Sequence, residues 1–151
     1  MRERMDHFKA APEAMKAMLA FENSVKNSGI EYSLAELVRT RASQINGCAY
    51  CIHMHTSDAR KAGEREERLY LLSAWREASV YTPRERAALD WTESLTRVAE
   101  TGAPDDVYEN LRGHFSEDEI VKLTLLIGAI NIWNRVAVGF RTQHPELKDA
   151  A

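Results

Sequence analysis

Apolar residues recur along this chain at the three- and four-residue spacing of amphipathic helices, and the two-residue alternation of strands is scarce. One apolar stripe consists of Leu34, Leu37, Val38 and Ile45. A second stripe consists of Ala88, Trp91, Leu95 and Val98. Because such stripes have to be buried against one another, the pattern predicts an all-α bundle.

Turn and capping signals mark where these helices begin and end. Pro12 suits the first turn of a helix that closes at Asn27-Ser-Gly29, and Pro104 opens a short helix that ends near Gly113. Capping boxes are predicted at Ser33-Leu-Ala-Glu36, Thr82-Pro-Arg-Glu85 and Ser116-Glu-Asp-Glu119, with C-terminal caps at Gly63 and Gly102. Residues 30–33 are expected to form a connector, and residues 33–63 a helical hairpin that turns at Asn46-Gly47.

The segment from Glu119 to about Phe140 is apolar around almost its whole circumference. A helix of that kind has to be buried on all sides, which one small domain can rarely achieve alone. We therefore expect part of this C-terminal helix to meet another subunit. The simpler alternative is that it forms the central helix of a monomeric core.

Length and composition indicate one ordinary soluble domain over residues 1–151, ending in a polar tail at about 142–151. The net charge of -3 gives no electrostatic reason to expect nucleic acid or an anionic membrane as a partner. We find no run of about 20 uncharged apolar residues and no apolar segment of a secretory signal at the N-terminus, so a cytoplasmic location is expected.

The two cysteines of the chain lie three positions apart, and a histidine follows the second by four, in Cys48-Ala-Tyr-Cys51-Ile-His-Met-His55. At about 100° per residue, Cys48, Cys51 and His55 lie within roughly 60° of one another on a helix. A thiol reacts as its thiolate, which a helix N-terminus and a neighbouring imidazole both favour. The helix dipole favours Cys48 as the nucleophile, whereas the spacing to His55 favours Cys51.

Other interpretations of these residues stay open from the sequence alone. The cysteines would serve as small core residues, or Cys48, Cys51 and His55 would bind zinc with Glu36 as a fourth ligand. Against zinc, the chain lacks a second ligand pair in a distant segment. Glu36 either caps a helix with Ser33 or, in an antiparallel hairpin, stands near the level of His55 and orients its ring. Helical periodicity alone predicts that Glu36 is exposed.

The constellation Glu36-x11-Cys48-x-x-Cys51-x3-His55 closely resembles the AhpD-like alkylhydroperoxidases of the carboxymuconolactone decarboxylase superfamily. The resemblance implies an all-α fold that assembles into homotrimers or homohexamers. It also implies a peroxidase cycle in which Cys51 attacks the peroxide, Cys48 closes a disulfide, and His55 and Glu36 relay protons. A lipoylated or thioredoxin-like dithiol protein would then reduce the disulfide, with no flavin or metal cofactor.

One position departs from the best-known branch of that family, which carries a second histidine between the cysteines where this chain has Tyr50. A phenol with a pKa near 10 is a poor base at neutral pH. The first functional hypothesis is therefore a thiol peroxidase for organic hydroperoxides. The alternative is a non-peroxidatic redox module, either a disulfide reductase or a redox sensor. Lactone decarboxylation is not expected, because the decarboxylase branch lacks the cysteine pair.

Overall fold

Every regular element in the described part of the chain, residues 2–145, is helical in the computed structural model. In order, the helices are α1 His7–Ala10, α2 Pro12–Lys26, α3 Tyr32–Ile45, α4 Ala49–Lys61, α5 Glu66–Tyr70, α6 Pro83–Thr96, α7 Val98–Thr101, α8 Asp105–Arg112 and α9 Glu117–Phe140, with a 3-10 turn at Leu71–Ala74. The all-α prediction is confirmed. Most of the predicted polar tail, residues 146–151, lies outside the described residues, as does Met1.

Most predicted helix boundaries agree with the structure. Thr82 and Ser116 each form a complete capping box with the glutamate three residues later. Pro12 starts α2, and Gly102 ends α7 in the left-handed conformation that glycine adopts without strain. These signals depend on local hydrogen bonds only, which explains why the sequence was sufficient to find them.

The predicted capping box at Ser33 is wrong. Helix α3 begins at Tyr32 because the backbone N–H of Ala35 already bonds to the carbonyl of Glu31, which places Ser33 inside the first turn. Glu31 makes no side-chain cap, and the connector before α3 is correspondingly shorter than predicted. The carboxylate of Glu36 is therefore not needed at the helix start and bonds elsewhere.

Helix α3 lies at the centre of the bundle, in contact with α4, α6 and α9. Its predicted apolar stripe is buried at Leu34, Leu37 and Val38 and packs against the stripe of α6 and against α9. Val98 is an exception, since α6 ends at Thr96 and Val98 begins α7 with its side chain exposed. Because α3 is central, its polar residues also face neighbouring helices.

Helix α9 is long and apolar enough to cross a membrane by length and composition alone. Its packing indicates a core helix, because eight of its residues are buried and it contacts α2, α3, α4, α6 and α8. Val121, Leu125 and Ile132 nevertheless remain exposed on one face, so the described chain does not cover this helix all round.

Candidate active site

The hairpin formed by α3 and α4 brings the four candidate residues together. Helix α3 ends at Ile45, Gly47 turns the chain with a φ of +65°, and Cys48 is the N-cap of α4. Cys48, Cys51, His55 and Glu36 are all buried. The exposure of Glu36 that periodicity predicts is wrong, because the helix packed on that side of α3 is α4 itself.

Cys48 and Cys51 are joined by a disulfide, with their Cα atoms 5.4 Å apart. The Sγ of Cys48 also accepts a hydrogen bond from the backbone N–H of Cys51, at 3.3 Å. Of the two sulfurs, that of Cys48 therefore accepts a hydrogen bond from a backbone N–H in the first turn of α4. Both sulfurs lie one helical turn or less from the end of α4 that carries the positive end of the helix dipole.

Glu36 holds the imidazole of His55 from the opposite helix. Its Oε2 lies 2.8 Å from His55 Nδ1, and its Oε1 accepts a hydrogen bond of 2.9 Å from Arg39. Burial opposes ionisation of this carboxyl, but the hydrogen bond and charge of His55, and then those of Arg39, lower the pKa of Glu36 below its ordinary value. An ionised carboxylate only accepts, so Nδ1 carries a proton and Nε2 is left as the ring nitrogen that can act as a base.

Two residues that the sequence did not reveal extend this chain of contacts. Arg39 also donates a hydrogen bond of 2.7 Å to Glu22 on α2, and the second oxygen of Glu22 accepts one of 3.0 Å from Trp133 on α9. Arg39 stands three positions after Glu36, a spacing that could have signalled a pair on one helix face. Nothing local in the sequence connects Glu22 with either residue.

The turn that carries Cys48 is anchored to α9 by amides. The side-chain nitrogen of Asn46 donates to the side-chain oxygens of Asn131 and Asn134, at 3.0 and 2.8 Å. Asn134 in turn donates to the hydroxyl of Ser43, at 3.0 Å. Because Asn134 is buried and paired at both ends of its amide, this network fixes the start of α4 against the core helix.

A cavity of about 580 Å³ opens on one side of this hairpin. Cys51, His55, Glu36 and Tyr50 contribute to its wall, and Cys48 does not. The N-terminal segment contributes another part of the wall. Arg4 donates from its backbone N–H to the carbonyl of Phe140 and from Nη1 to that of Gly139, both at 2.9 Å. The cavity therefore lies against Cys51 and not against Cys48.

Within residues 2–145, no group of three or more histidine, cysteine, aspartate or glutamate side chains is arranged to hold a metal ion. In the disulfide neither sulfur is a thiolate, which is the form in which a cysteine binds zinc. The arrangement combines two sulfurs joined in a disulfide, a histidine held at Nδ1 by a carboxylate, and a cavity beside one of the sulfurs.

Comparison with known proteins identifies the family. The sequence pattern of the carboxymuconolactone decarboxylase family matches residues 12–94, which include all four candidate residues. The chain belongs to the carboxymuconolactone decarboxylase family. It is 46% identical over 138 residues to the uncharacterized protein YdfG of Bacillus subtilis (strain 168), and the match covers 91% of this chain and 94% of YdfG.

Solved structures of other proteins share this architecture. The chain superimposes with a TM-score of 0.95 on ATU0492 of Agrobacterium tumefaciens, a protein of unknown function assigned provisionally to the AhpD antioxidant defence proteins. The two are 54% identical, and the match covers 97% of this chain and 100% of ATU0492. The debrominase Bmp8 shares the fold alone, at a TM-score of 0.78 and 17% identity over 91% of this chain and 74% of its own. The AhpD-like resemblance and fold are therefore confirmed.

Proposed function

We propose that this protein is a thiol-dependent peroxidase that reduces organic hydroperoxides in antioxidant defence. The observation that carries the proposal is the position of Cys51 and His55 in the wall of one cavity, with Nδ1 of His55 held by Glu36. His55 Nε2 then takes the proton of the Cys51 thiol, and the resulting thiolate faces the substrate. The position of Cys48 outside the cavity wall supports its role as the resolving thiol.

The cycle follows from the chemistry of these groups. The Cys51 thiolate attacks the terminal oxygen of the hydroperoxide, the O–O bond breaks, and the alkoxide leaves as an alcohol after it takes a proton from His55. The Cys51 sulfenic acid then condenses with the Cys48 thiol, forming the disulfide and releasing water. An external dithiol reduces the disulfide and is itself oxidised to a disulfide. In sum, one hydroperoxide and one dithiol yield an alcohol, water and one oxidised dithiol.

Steady-state consumption of cumene hydroperoxide with a panel of dithiols tests the proposal. Donors would include dihydrolipoamide and a reduced thioredoxin, as stand-ins for the lipoylated or thioredoxin-like partner. We expect Cys51→Ser to abolish turnover, and Cys48→Ser to stop after one turnover with a dimedone-reactive sulfenic acid at Cys51. If Cys51→Ser retains full dithiol-dependent activity, the assignment of the nucleophile is wrong.

A non-peroxidatic disulfide reductase or redox sensor is the second candidate. It is favoured by the burial of both sulfurs and by Tyr50, which stands between them and lines the cavity. The number of peroxide molecules consumed per chain in the presence of excess dithiol separates the two functions. Many turnovers support the peroxidase, whereas a single oxidation supports the sensor.

We also propose a cytoplasmic homotrimer or homohexamer that needs no bound cofactor. Val121, Leu125 and Ile132 fall on one stripe of α9 at helical spacing and remain exposed, which leaves an apolar surface for a second copy. Light scattering of the purified protein measures the subunit number. Leu125→Asp should lower it if this stripe forms the interface, and Tyr70→Asp, at an exposed residue of α5, serves as the control.

A further inference from the structure

The shape of the cavity narrows the class of hydroperoxide that the site accepts. Much of its wall is apolar and comes from four helices, namely from Phe8 of α1, Leu19 of α2, Met54 of α4, and Ile130, Trp133 and Val136 of α9. A volume of about 580 Å³ is in the range of sites that bind drug-sized ligands. Hydrogen peroxide is little larger than water, whose share of liquid volume is about 30 Å³, and would leave this wall without contacts.

The charges of the wall disfavour an anionic ligand. Its carboxylates are Glu3, Asp6, Glu22, Glu36 and Asp58, and its permanent cations are Lys26 and Arg39. Two lysines outside the wall form ion pairs with its carboxylates, Lys9 with Asp6 and Lys61 with Asp58. They offset the negative charge of the wall only in part.

The cation nearest the chemistry is already engaged. Arg39 donates to Glu36 at 2.9 Å and to Glu22 at 2.7 Å, and its side chain is only 5% exposed. A carboxylate on the substrate would have to displace one of these partners, and it would otherwise meet the negative charges of Glu22 and Glu36. An uncharged substrate faces neither cost.

We propose that this cavity selects hydroperoxides whose organic group is bulky, apolar and uncharged. It discriminates against hydrogen peroxide by size and against carboxylate-bearing hydroperoxides by charge. This inference rests on the peroxidase function proposed above and specifies its substrate class.

Single-turnover oxidation of the pre-reduced protein, followed by stopped flow without any dithiol, isolates the peroxide step. The substrates are hydrogen peroxide, cumene hydroperoxide and the para-carboxylate of cumene hydroperoxide. Each rate constant is divided by that of the same peroxide with free dithiothreitol, which removes differences in intrinsic reactivity. We expect the normalised rate constant for cumene hydroperoxide to exceed that for hydrogen peroxide by roughly tenfold or more, because burying about 60 Å² of apolar surface corresponds to that factor. The normalised rate constant for cumene hydroperoxide should also exceed that for its para-carboxylate by about tenfold, which is the effect of a modest charge repulsion in a partly buried site.

A charge placed in the wall provides the matched comparison. Leu19→Lys adds a cation to the cavity at a half-exposed position, and Leu71→Lys makes the same change at a half-exposed position away from it. Leu19→Lys should narrow the preference for the uncharged substrate several-fold, and Leu71→Lys should leave it unchanged. Equal normalised rates for the three peroxides, or the same effect of both lysines, would overturn the inference. Failure of every peroxide to oxidise the reduced protein would instead refute the peroxidase function itself.

Discussion

Replacing Arg39 with methionine should destabilise the protein more than the same replacement at an exposed arginine. Arg39 is buried between α2 and α3, where its guanidinium bonds to the carboxylates of Glu22 and Glu36. Methionine fills a similar space without a charge, so the variant leaves Glu36 in the core with only His55 as a partner. Glu22 is less affected, because a quarter of its side chain is exposed to solvent.

The magnitude follows from the cost of leaving a buried charge unpaired. Removing one partner of a buried ion pair typically costs about 3–5 kcal/mol. The residual contact with His55 places Arg39→Met near the lower end of that range, at about 3 kcal/mol. If the unpaired carboxylate is the cause, adding Glu36→Gln should recover part of the loss, and the two changes should be non-additive by about 1 kcal/mol or more.

Urea unfolding at a fixed protein concentration, with the disulfide intact in every variant, measures these free energies. Arg112→Met is the control, because Arg112 and its partner Glu109 are both more than half exposed and such pairs contribute little to stability. The reasoning is refuted if Arg39→Met costs no more than this control, or if its cost adds to that of Glu36→Gln within about 0.5 kcal/mol.

Three further predictions concern the same hairpin. Because the pKa of Glu36 is lowered below its ordinary 4.5, its carboxylate stabilises the fold fully above pH 4.5 and loses that effect as the pH falls through the lower folded pKa. The difference in unfolding free energy between the wild type and Glu36→Gln should therefore shrink as the pH falls below 4.5. A difference that persists into strong acid would contradict this. Asn134→Leu should cost about 1–3 kcal/mol in urea unfolding, because it leaves Ser43 and Asn46 short of buried partners, and a cost near zero would show that the network is dispensable. Gly47→Ala should destabilise the protein by about 1 kcal/mol, because Gly47 has a φ of +65°. Gly139→Ala, within α9, should be neutral or stabilising by up to about 1 kcal/mol. Shifts of the melting temperature in the same direction for both variants would refute this conformational argument.

The sequence predicted the helices and the motif well because both are encoded locally. Capping boxes, proline and glycine positions and the spacing of Cys48, Cys51 and His55 each depend on residues within one or two turns. The antiparallel hairpin argument also placed Glu36 near His55, since only helix rise and the position of the turn enter it.

The remaining contacts of the site depend on which helices pack together, and the sequence does not specify that. Glu22 meets Arg39 across 17 positions and Trp133 across 111. Periodicity also failed at Glu36, because it assumes one buried face for each helix, whereas α3 is enclosed by α4 as well as by α6 and α9. A charged residue on such a helix is buried with its partners.

The hydrogen bonds from Arg4 to the last turn of α9 have a practical consequence for purification. A fusion peptide placed ahead of Met1 joins the chain only a few positions before Arg4, whose hydrogen bonds hold the N-terminal segment against α9. We expect such an appendage to disturb these hydrogen bonds and, with them, the N-terminal part of the cavity wall. Rate constants for bulky peroxides are therefore best compared before and after a protease has released the appendage.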